Sequence, residues 1–317
     1  MDLDFNAYTQ CELCPRRCHA RRQEGRAGLC GANASLRVAR SALHFWEEPP
    51  ISGENGSGAI FFAGCPLRCV FCQNHEISQE GFGLEVSTGR LAQMMLELEA
   101  QGALNINLVT PLHFAPHVSE AVLLAREAGL ALPIVCNTSG YERHEVVEAM
   151  SDIVDIWLTD FKYASPELSA SLSAVGDYPQ VAEEGLRAML ASLRRAGGRM
   201  MAEDGRMLRG IIVRHLVLPS HVEDSLSVLG KVWEICGNEV DLSVMNQYTP
   251  NEACVRAGGP LSGPLDPDDY ELVLDYADAL GFEHMWWQQG GTVSESFVPA
   301  FDATGVEGPE LETSLLV

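Results

Sequence analysis

From residue 59 onwards, short apolar segments alternate with amphipathic segments, and this alternation limits the possible folds more than any other feature of the chain. The apolar segments are short enough to be buried strands, and the segments between them have apolar residues at helical spacing. Strands that alternate with helices pair in parallel, because each helix returns the chain to the same end of the sheet. The predicted strands are residues 59–63, 105–109, 132–136, 153–160, 210–218 and 240–248. These six units predict an α/β fold, a partial (βα)6 barrel open on one side, followed by an extended piece at 282–287.

The last helix has clear boundary signals. Asp266 is a preferred N-cap residue, and Pro267 suits the first helical position, where no backbone N–H is needed. We therefore predict a helix that begins at Pro267 and ends at Leu280.

Three cysteines follow the first predicted strand directly. Cys65, Cys69 and Cys72 lie in the segment GCPLRCVFCQN. Four cysteines would saturate an iron-sulfur cluster or a structural zinc, whereas three leave one metal position open to a ligand that is not protein. The loop also comes at the carboxyl end of a strand, where α/β folds place their active sites. The loop therefore predicts a metal centre that performs chemistry, with a structural metal knuckle or a redox thiol patch as the alternative.

The segment CPLRCVFC has the cysteine spacing of the radical SAM superfamily, with Phe71 as the aromatic residue before the last cysteine. The chain resembles that superfamily across most of residues 56–288. The resemblance implies a partial (βα)6 TIM-like barrel in which Cys65, Cys69 and Cys72 hold three irons of a [4Fe-4S] cluster. In that family the fourth iron binds S-adenosylmethionine (SAM), and one electron cleaves SAM to methionine and a 5′-deoxyadenosyl radical that takes a hydrogen atom from the substrate. A flavodoxin- or ferredoxin-type reductant is implied with it.

Several phrases resemble one group within that superfamily, the activating enzymes of glycyl radical enzymes. Within that group, the chain resembles most a branch named after the pyruvate formate-lyase activating enzyme. The phrases are CPRRC, INLVTP, NTSGYE, DIWLTDFKY, VRHLVLP and NQYTP. This resemblance suggests a glycyl radical enzyme as the partner, but a shared fold does not fix the substrate. The alternatives are a radical SAM enzyme that modifies a small molecule or another protein, and an iron-sulfur binding or electron-transfer protein without SAM chemistry.

The resemblance also implies which residues contact SAM. In related enzymes a Gly-Gly-Glu sequence after the second strand binds the methionine amino group, but this chain has Val109, Thr110 and Pro111 there. The carboxylate acceptor is therefore missing, and the Thr110 hydroxyl or backbone carbonyls are the remaining acceptors. The implied cofactor-binding set is Asn74, Thr110, Asn137, Thr138, Ser139, Asp160, Lys162 and Arg214.

Structural interpretations compete with several of these assignments. Asn74 can instead cap a turn, residues 137–140 can form a simple turn, and Asp160 and Lys162, which alternate along a strand and share a side, can form an internal ion pair. Arg214 and His215 point to opposite sides of their strand, so at most one of them faces the barrel interior. Weaker candidates for the site are His44, Trp46, His113, His117, His215, Asn246, Gln247 and Tyr248.

A second set of cysteines lies near the start of the chain. Cys11, Cys14, Cys18 and Cys30 are separated by Pro- and Gly-containing turns, and four thiolates can close a tetrahedral metal site. We expect a small metal knuckle that holds zinc or a second iron-sulfur cluster, with free redox-active thiols as the alternative.

These patterns divide the chain into three parts. Residues 1–58 form the Cys-rich segment, with a linker rich in Pro, Gly and Ser at 41–58, and residues 59–288 form the barrel. The tail at 289–317 is acidic and is expected to be mobile, or alternatively to cover the open side of the barrel.

Charge and composition exclude several classes of protein. The net charge of −23 argues against a nonspecific nucleic-acid or anionic-membrane surface, since both require positive charge. There is no apolar run long enough to span a bilayer, and the start MDLDFNAYTQ does not resemble a secretory signal. Ten cysteines then favour metal ligation in a reducing compartment, so the cytoplasm is the expected location.

Overall fold

The computed structural model describes residues 3–288 and 298–311. Its ten strands form one sheet in this part of the chain. The strands are β1 (Arg37–His44), β2 (Ser57–Phe62), β3 (Leu84–Glu85), β4 (Ile106–Val109), β5 (Ile134–Thr138), β6 (Ile156–Asp160), β7 (Met200–Met201), β8 (Met207–Leu216), β9 (Asp241–Met245) and β10 (Met285–Trp287).

Helices cover the sheet and connect its strands. They are α1 (Pro49–Ser52), α2 (His75–Ser78), α3 (Thr88–Ala100), α4 (Ala115–Glu127), α5 (His144–Met150), α6 (Pro166–Ser173), α7 (Tyr178–Arg195), α8 (Val222–Cys236), α9 (Glu252–Ala257) and α10 (Pro267–Leu280). As predicted, α10 begins at Pro267, and the Asp266 side chain accepts a hydrogen bond from the Asp268 N–H. No helix in the described residues is long and apolar enough to cross a membrane.

The centre of the sheet consists of parallel strands in the order β2, β4, β5, β6, β8, β9 and β10. Strands β2, β4 and β5 are buried along their whole length, as expected for parallel strands covered on both faces. Across the described residues, the strand order runs from β10 to β3 without closing on itself. The mostly parallel α/β architecture is therefore confirmed and is consistent with a partial barrel, and residues 285–287 add a seventh parallel strand to the six predicted.

The segment predicted as a linker differs from the expectation. Residues 37–44 form β1, which pairs antiparallel with β2, and β3 extends this edge by pairing with β1. An unpaired β2 would expose a row of backbone donors and acceptors, and β1 satisfies them. The linker prediction for 41–58 is thus wrong, because this segment contains the end of β1, the helix α1 and the start of β2.

The tail also differs from the expectation in the part that is described. Residues 298–311 pack against β1 and α3: the Ser41 N–H donates to the Thr304 carbonyl at 2.8 Å, and the Phe301 and Phe61 rings lie 5.5 Å apart. Arg90, which is 3% exposed, donates to the carbonyl oxygens of residues 305, 306, 307 and 309. The predicted mobile tail is therefore wrong for 298–311, because a buried guanidinium holds its backbone. The rest of that prediction falls on 289–297 and 312–317, which lie outside the described residues.

The N-terminal segment packs directly against the loop after β2. The Cys65 N–H donates to the Cys30 carbonyl oxygen at 3.1 Å. Gly64 adopts φ +89°, and a Cβ atom there would lie 2.7 Å from the same carbonyl oxygen, so only glycine fits. The two cysteine-bearing segments are thus joined by backbone contact.

Candidate active site

The carboxyl ends of the parallel strands open into a cavity of about 550 Å³. This volume is typical of small-molecule sites, and the position is the one where α/β sheets bind ligands. Its lining includes every residue predicted to bind the cluster or SAM: Cys65, Cys69, Cys72, Asn74, Thr110, Asn137, Thr138, Ser139, Asp160, Lys162 and Arg214. The fold thus brings together side chains from five separate strand ends.

The cysteine loop is held in place by its backbone. The Val70 N–H donates to the Leu172 carbonyl at 2.9 Å, and the Gln79 side chain donates to the Cys69 carbonyl at 2.9 Å. These bonds to α6 and to the end of α2 fix the loop without using the cysteine sulfurs. Two of the sulfurs also have hydroxyl neighbours: Cys69 Sγ lies 2.9 Å from Ser173 Oγ, and Cys72 Sγ lies 3.3 Å from Ser78 Oγ.

The three thiols fit an iron-sulfur cluster better than a single metal ion. Across residues 3–288 and 298–311, no three His, Cys, Asp or Glu side chains converge to hold one ion. Cluster ligands bind separate iron atoms, so they need not converge on one point. Burial raises the pKa of Cys65 and Cys69, although the charge of Lys162 opposes this shift at Cys69. Three thiols on one cavity wall match a cluster with one open corner.

A buried charge network lies across the cavity at the ends of β6 and β8. Asp160 bonds to both Lys162 and Arg214, whose Nε lies 3.0 Å from Asp160 Oδ1. Arg214 also donates to Asn137 Oδ1 at 2.6 Å. Burial raises the pKa of Asp160, but the two cations outweigh it and hold the pKa below its ordinary value. Asp160 and Lys162 therefore form the internal ion pair considered in the sequence, and they also line the cavity.

Sequence reasoning missed two carboxylates, Glu47 and Glu48, which lie between β1 and α1 and line the same cavity. Glu47 Oε1 accepts from Asn107 Nδ2 at 2.9 Å, and Glu47 Oε2 lies 3.4 Å from an Arg214 nitrogen. Glu48 is 8% exposed, and its Oε2 atom has no hydrogen-bond partner among the described residues. Burial raises the pKa of both carboxyls, and Arg214 opposes the shift. In the sequence, Glu47 and Glu48 are followed by two prolines in a polar segment, and nothing in that pattern indicates that they line a cavity.

Thr110, at the position of the missing Gly-Gly-Glu sequence, has an unusual backbone conformation. Its φ is +58°, which is uncommon for a residue other than glycine, and its N–H donates to the Asn137 carbonyl at 2.8 Å. Such strained residues cluster at functional sites.

The Ser139 hydroxyl lies 3.4 Å from Glu142 Oε1, and burial raises the pKa of Glu142 to about 8.

The weaker candidates divide between the cavity and the core. His44, Trp46, Gln247 and Tyr248 line the cavity. His215 faces α8 instead, where its ring nitrogens bond to the Phe161 carbonyl and the Ser225 hydroxyl, and burial lowers its pKa to about 4. This arrangement confirms that only one of Arg214 and His215 faces the interior. His113 and His117 bond to backbone carbonyls of the N-terminal half and are absent from the described lining.

The N-terminal cysteines surround a buried arginine. A Cβ atom on Gly28 would lie 3.2 Å from the sulfur of Cys18 and 3.5 Å from that of Cys30, so both sulfurs face the same point. Arg22 is 1% exposed and donates to two carbonyl oxygens and, at 3.5 Å, to the Cys11 sulfur. None of these described partners is a carboxylate. The ring centroids of Tyr8 and Phe114 lie 4.3 and 5.3 Å from the guanidinium carbon, and among the hydrogen-bond partners described for Arg22 the Cys11 sulfur is the atom able to carry a negative charge.

Comparisons with known proteins agree with this geometry. The model of the radical SAM superfamily matches residues 59–202. An uncharacterised protein of Methanocaldococcus jannaschii is 27% identical over 294 residues, which cover 89% of this chain and 78% of that protein. The pyruvate formate-lyase-activating enzyme of Listeria monocytogenes is 26% identical over 129 residues, which cover 38% of this chain and 52% of that enzyme, about half its length. A solved radical SAM methyltransferase from Sphaerobacter thermophilus has a TM-score of 0.51 at 13% identity, covering 74% of this chain and 67% of that chain, a likeness in fold.

Proposed function

We propose that this chain, whose residues 59–202 match the model of the radical SAM superfamily, is an iron-sulfur enzyme that cleaves SAM reductively and abstracts hydrogen from a substrate. When bound, the [4Fe-4S] cluster and SAM supply one electron and a 5′-deoxyadenosyl radical that takes a hydrogen atom. The observation that carries the proposal is the placement of Cys65, Cys69 and Cys72 on the wall of one cavity with the polar ends of neighbouring strands. A flavodoxin- or ferredoxin-type reductant would provide the electron.

The polar residues across the cavity suit the two ends of the SAM amino acid. Lys162 is a cation that would meet the carboxylate, and Asp160 would accept from an ammonium or from ribose hydroxyls. We propose the Thr110 hydroxyl and carbonyl as acceptors in place of the acidic residue of related enzymes. Thr110 lines the cavity and has a left-handed backbone conformation, which supports this role. Asn137 and Ser139, at the end of β5, offer further amide and hydroxyl groups.

Aromatic side chains form much of the remaining lining and would keep water from a reactive radical. They include Phe45, Phe61, Phe71, Tyr248 and Trp286. Phe71 packs edge-on against Tyr248 with ring centroids 6.3 Å apart. An apolar wall of this kind protects reactive intermediates from side reactions.

The finer assignment that we propose is activation of a glycyl radical enzyme. The partial similarity to a pyruvate formate-lyase-activating enzyme supports it, over 38% of this chain. The alternative is hydrogen abstraction from a small molecule or from another protein. Detection of a glycyl radical by electron paramagnetic resonance, in a candidate partner mixed with the activated protein, would distinguish them.

The proposed chemistry can be tested by anaerobic reconstitution with iron and sulfide, followed by dithionite and SAM. We expect wild type to form 5′-deoxyadenosine and Cys69→Ala to form none. Cys236→Ala is the matched control, because Cys236 is equally buried but lies in α8, outside the described lining. If wild type contains a reducible cluster and makes no 5′-deoxyadenosine, the proposal fails and an electron-transfer role gains support.

We propose further that Cys11, Cys14, Cys18 and Cys30 hold a second metal centre, either zinc or an iron-sulfur cluster. No three such ligands converge on one point in the described residues, which favours the cluster, whose ligands bind separate iron atoms. Arg22 supports this proposal, since its buried charge has described contacts with sulfur and carbonyl oxygen and none with a carboxylate. Metal-bound cysteines are thiolates and would provide the missing negative charge. Zinc and iron content of the purified protein distinguishes the two metals.

A further inference from the structure

We infer that the cavity contains a substrate subsite for a positively charged nitrogen group, an ammonium or a guanidinium, formed by Glu47 and Glu48. We call these two residues the acidic subsite. The inference rests on the proposed function, because the same cavity would hold the cluster and SAM. It adds the chemical class of the substrate group.

The first argument is the unpaired carboxylate. Glu48 is more than nine-tenths buried, lines the cavity, and has one oxygen without a hydrogen-bond donor among the described residues. A buried acceptor without a donor destabilises a fold. A ligand that brings an N–H donor would satisfy this Glu48 oxygen.

The second argument is the charge of the cavity wall. Its described lining has three carboxylates, Glu47, Glu48 and Asp160, and two permanent cations, Lys162 and Arg214. With all three carboxyls ionised, three minus two leaves one negative charge. Burial raises the pKa of Glu47 and Glu48, and a cation bound beside them would favour their ionised forms. Arg214 directs its described donors to Asp160, Glu47 and Asn137, so Glu48 feels its charge but receives no hydrogen bond from it. Burial and Arg40 lower the pKa of the remaining basic residue, His44, so it adds no charge near neutral pH.

The third argument is the composition of the neighbouring wall. Phe45 and Trp46 immediately precede the acidic pair and line the same cavity, as does Trp286. The faces of aromatic rings attract ammonium and guanidinium groups. The net charge of −23 also raises the local concentration of cations around the protein. A cation therefore matches the subsite better than a neutral amide, which offers donors without charge.

The test uses the protein reconstituted with its cluster and SAM, at low ionic strength and neutral pH. Calorimetric titrations with n-butylamine and n-butylguanidine, both cations at this pH, are compared with titrations of n-butanol, a neutral probe of similar size. We expect either cation to bind wild type at least tenfold more tightly than butanol. We expect Glu48→Gln to reduce that preference at least fivefold and to leave butanol binding unchanged.

Two further variants complete the experiment. Glu203→Gln removes the same charge from the exposed turn before β8, far along the strand from Arg214, and should bind as wild type does. Glu48→Asp keeps the charge on a shorter side chain and should retain the preference for cations at lower affinity. The inference is overturned if butanol binds as tightly as the cations, if Glu48→Gln matches Glu203→Gln, or if Glu48→Gln does not fold, since the carboxylate would then be structural.

The failure of this inference can be distinguished from failure of the proposed function. Formation of 5′-deoxyadenosine by wild type is measured in the same preparation. Cation binding without 5′-deoxyadenosine contradicts the radical chemistry and leaves the acidic subsite standing. Formation of 5′-deoxyadenosine without a preference for cations contradicts the acidic subsite alone.

Discussion

Arg214 is the cation on which the charge balance of the cavity depends, and its replacement by glutamine tests that balance. The Arg214 side chain is only 15% exposed and bridges Asp160 at 3.0 Å, Asn137 at 2.6 Å and Glu47 at 3.4 Å. Its loss would leave three carboxylates facing one lysine. Breaking a buried ion pair by removing one partner costs about 3–5 kcal/mol, so we expect Arg214→Gln to lower the free energy of unfolding by about that amount.

The assay is urea denaturation at pH 7.5, with Arg187→Gln as the matched control. Arg187 is half exposed and forms an ion pair with Glu183 one helical turn away, a type of pair that contributes about 0.3–0.5 kcal/mol. Adding Glu47→Gln to Arg214→Gln should recover part of the lost stability, because the two residues interact directly. If Arg214→Gln costs no more than the control, the carboxylates of the cavity are neutral in the folded protein. The charge argument for the acidic subsite would then be wrong.

Three further predictions concern residues around the site. The pKa of His215 falls from 6.5 to about 4 on folding, so between these values the unfolded chain binds a proton that the folded chain does not. The free energy of unfolding therefore decreases as the pH drops from about 7 to 4, and urea titrations of a His215→Asn variant should show a decrease that is smaller by about 3 kcal/mol. An unchanged pH profile in the variant would contradict the assignment. Gly64→Ala should reduce the amount of iron bound after reconstitution, because the added Cβ would lie 2.7 Å from the Cys30 carbonyl oxygen. Gly205→Ala is the control: Gly205 has a similar positive φ with no atom within 4 Å, so this variant should bind as much iron as wild type. Equal iron content in the two variants would contradict the steric argument. Cys18→Ala should lose the zinc or extra iron of the N-terminal site, while the cluster loop keeps its iron. Elemental analysis measures the metal content, with Cys236→Ala as the control. An unchanged metal content in Cys18→Ala would refute the second metal site.

The sequence predicted the parallel core because its signals are local. Each of the six predicted strands is short and mostly apolar, as burial on both faces requires. The boundary of α10 was predictable for the same reason, since Asp266 and Pro267 act within one turn of the helix they begin. The cysteine loop was recognisable from three residues and their spacing.

The contacts across the cavity were only partly predictable. The alternation of side chains along a strand limited Arg214 and His215 to opposite sides, but it did not decide which side faced the cavity. The neighbouring residues decided it: Arg214 hydrogen-bonds to Asp160 and Asn137 in the cavity, and His215 hydrogen-bonds to Ser225 of α8. These partners lie far apart in the chain, so no local pattern records them.

The sequence by itself determined the strand and helix repeat, the spacing of the three loop cysteines and the strand ends at which polar residues gather. Only the tertiary structure decided that Glu48 is buried, that Glu47 and Glu48 line the cavity, and that residues 298–311 pack on Arg90. Both segments are polar and rich in Pro and Gly, a composition typical of exposed loops. Their burial depends on partners supplied by distant strands and helices, because a charged side chain leaves water only where the fold places matching donors or charges around it.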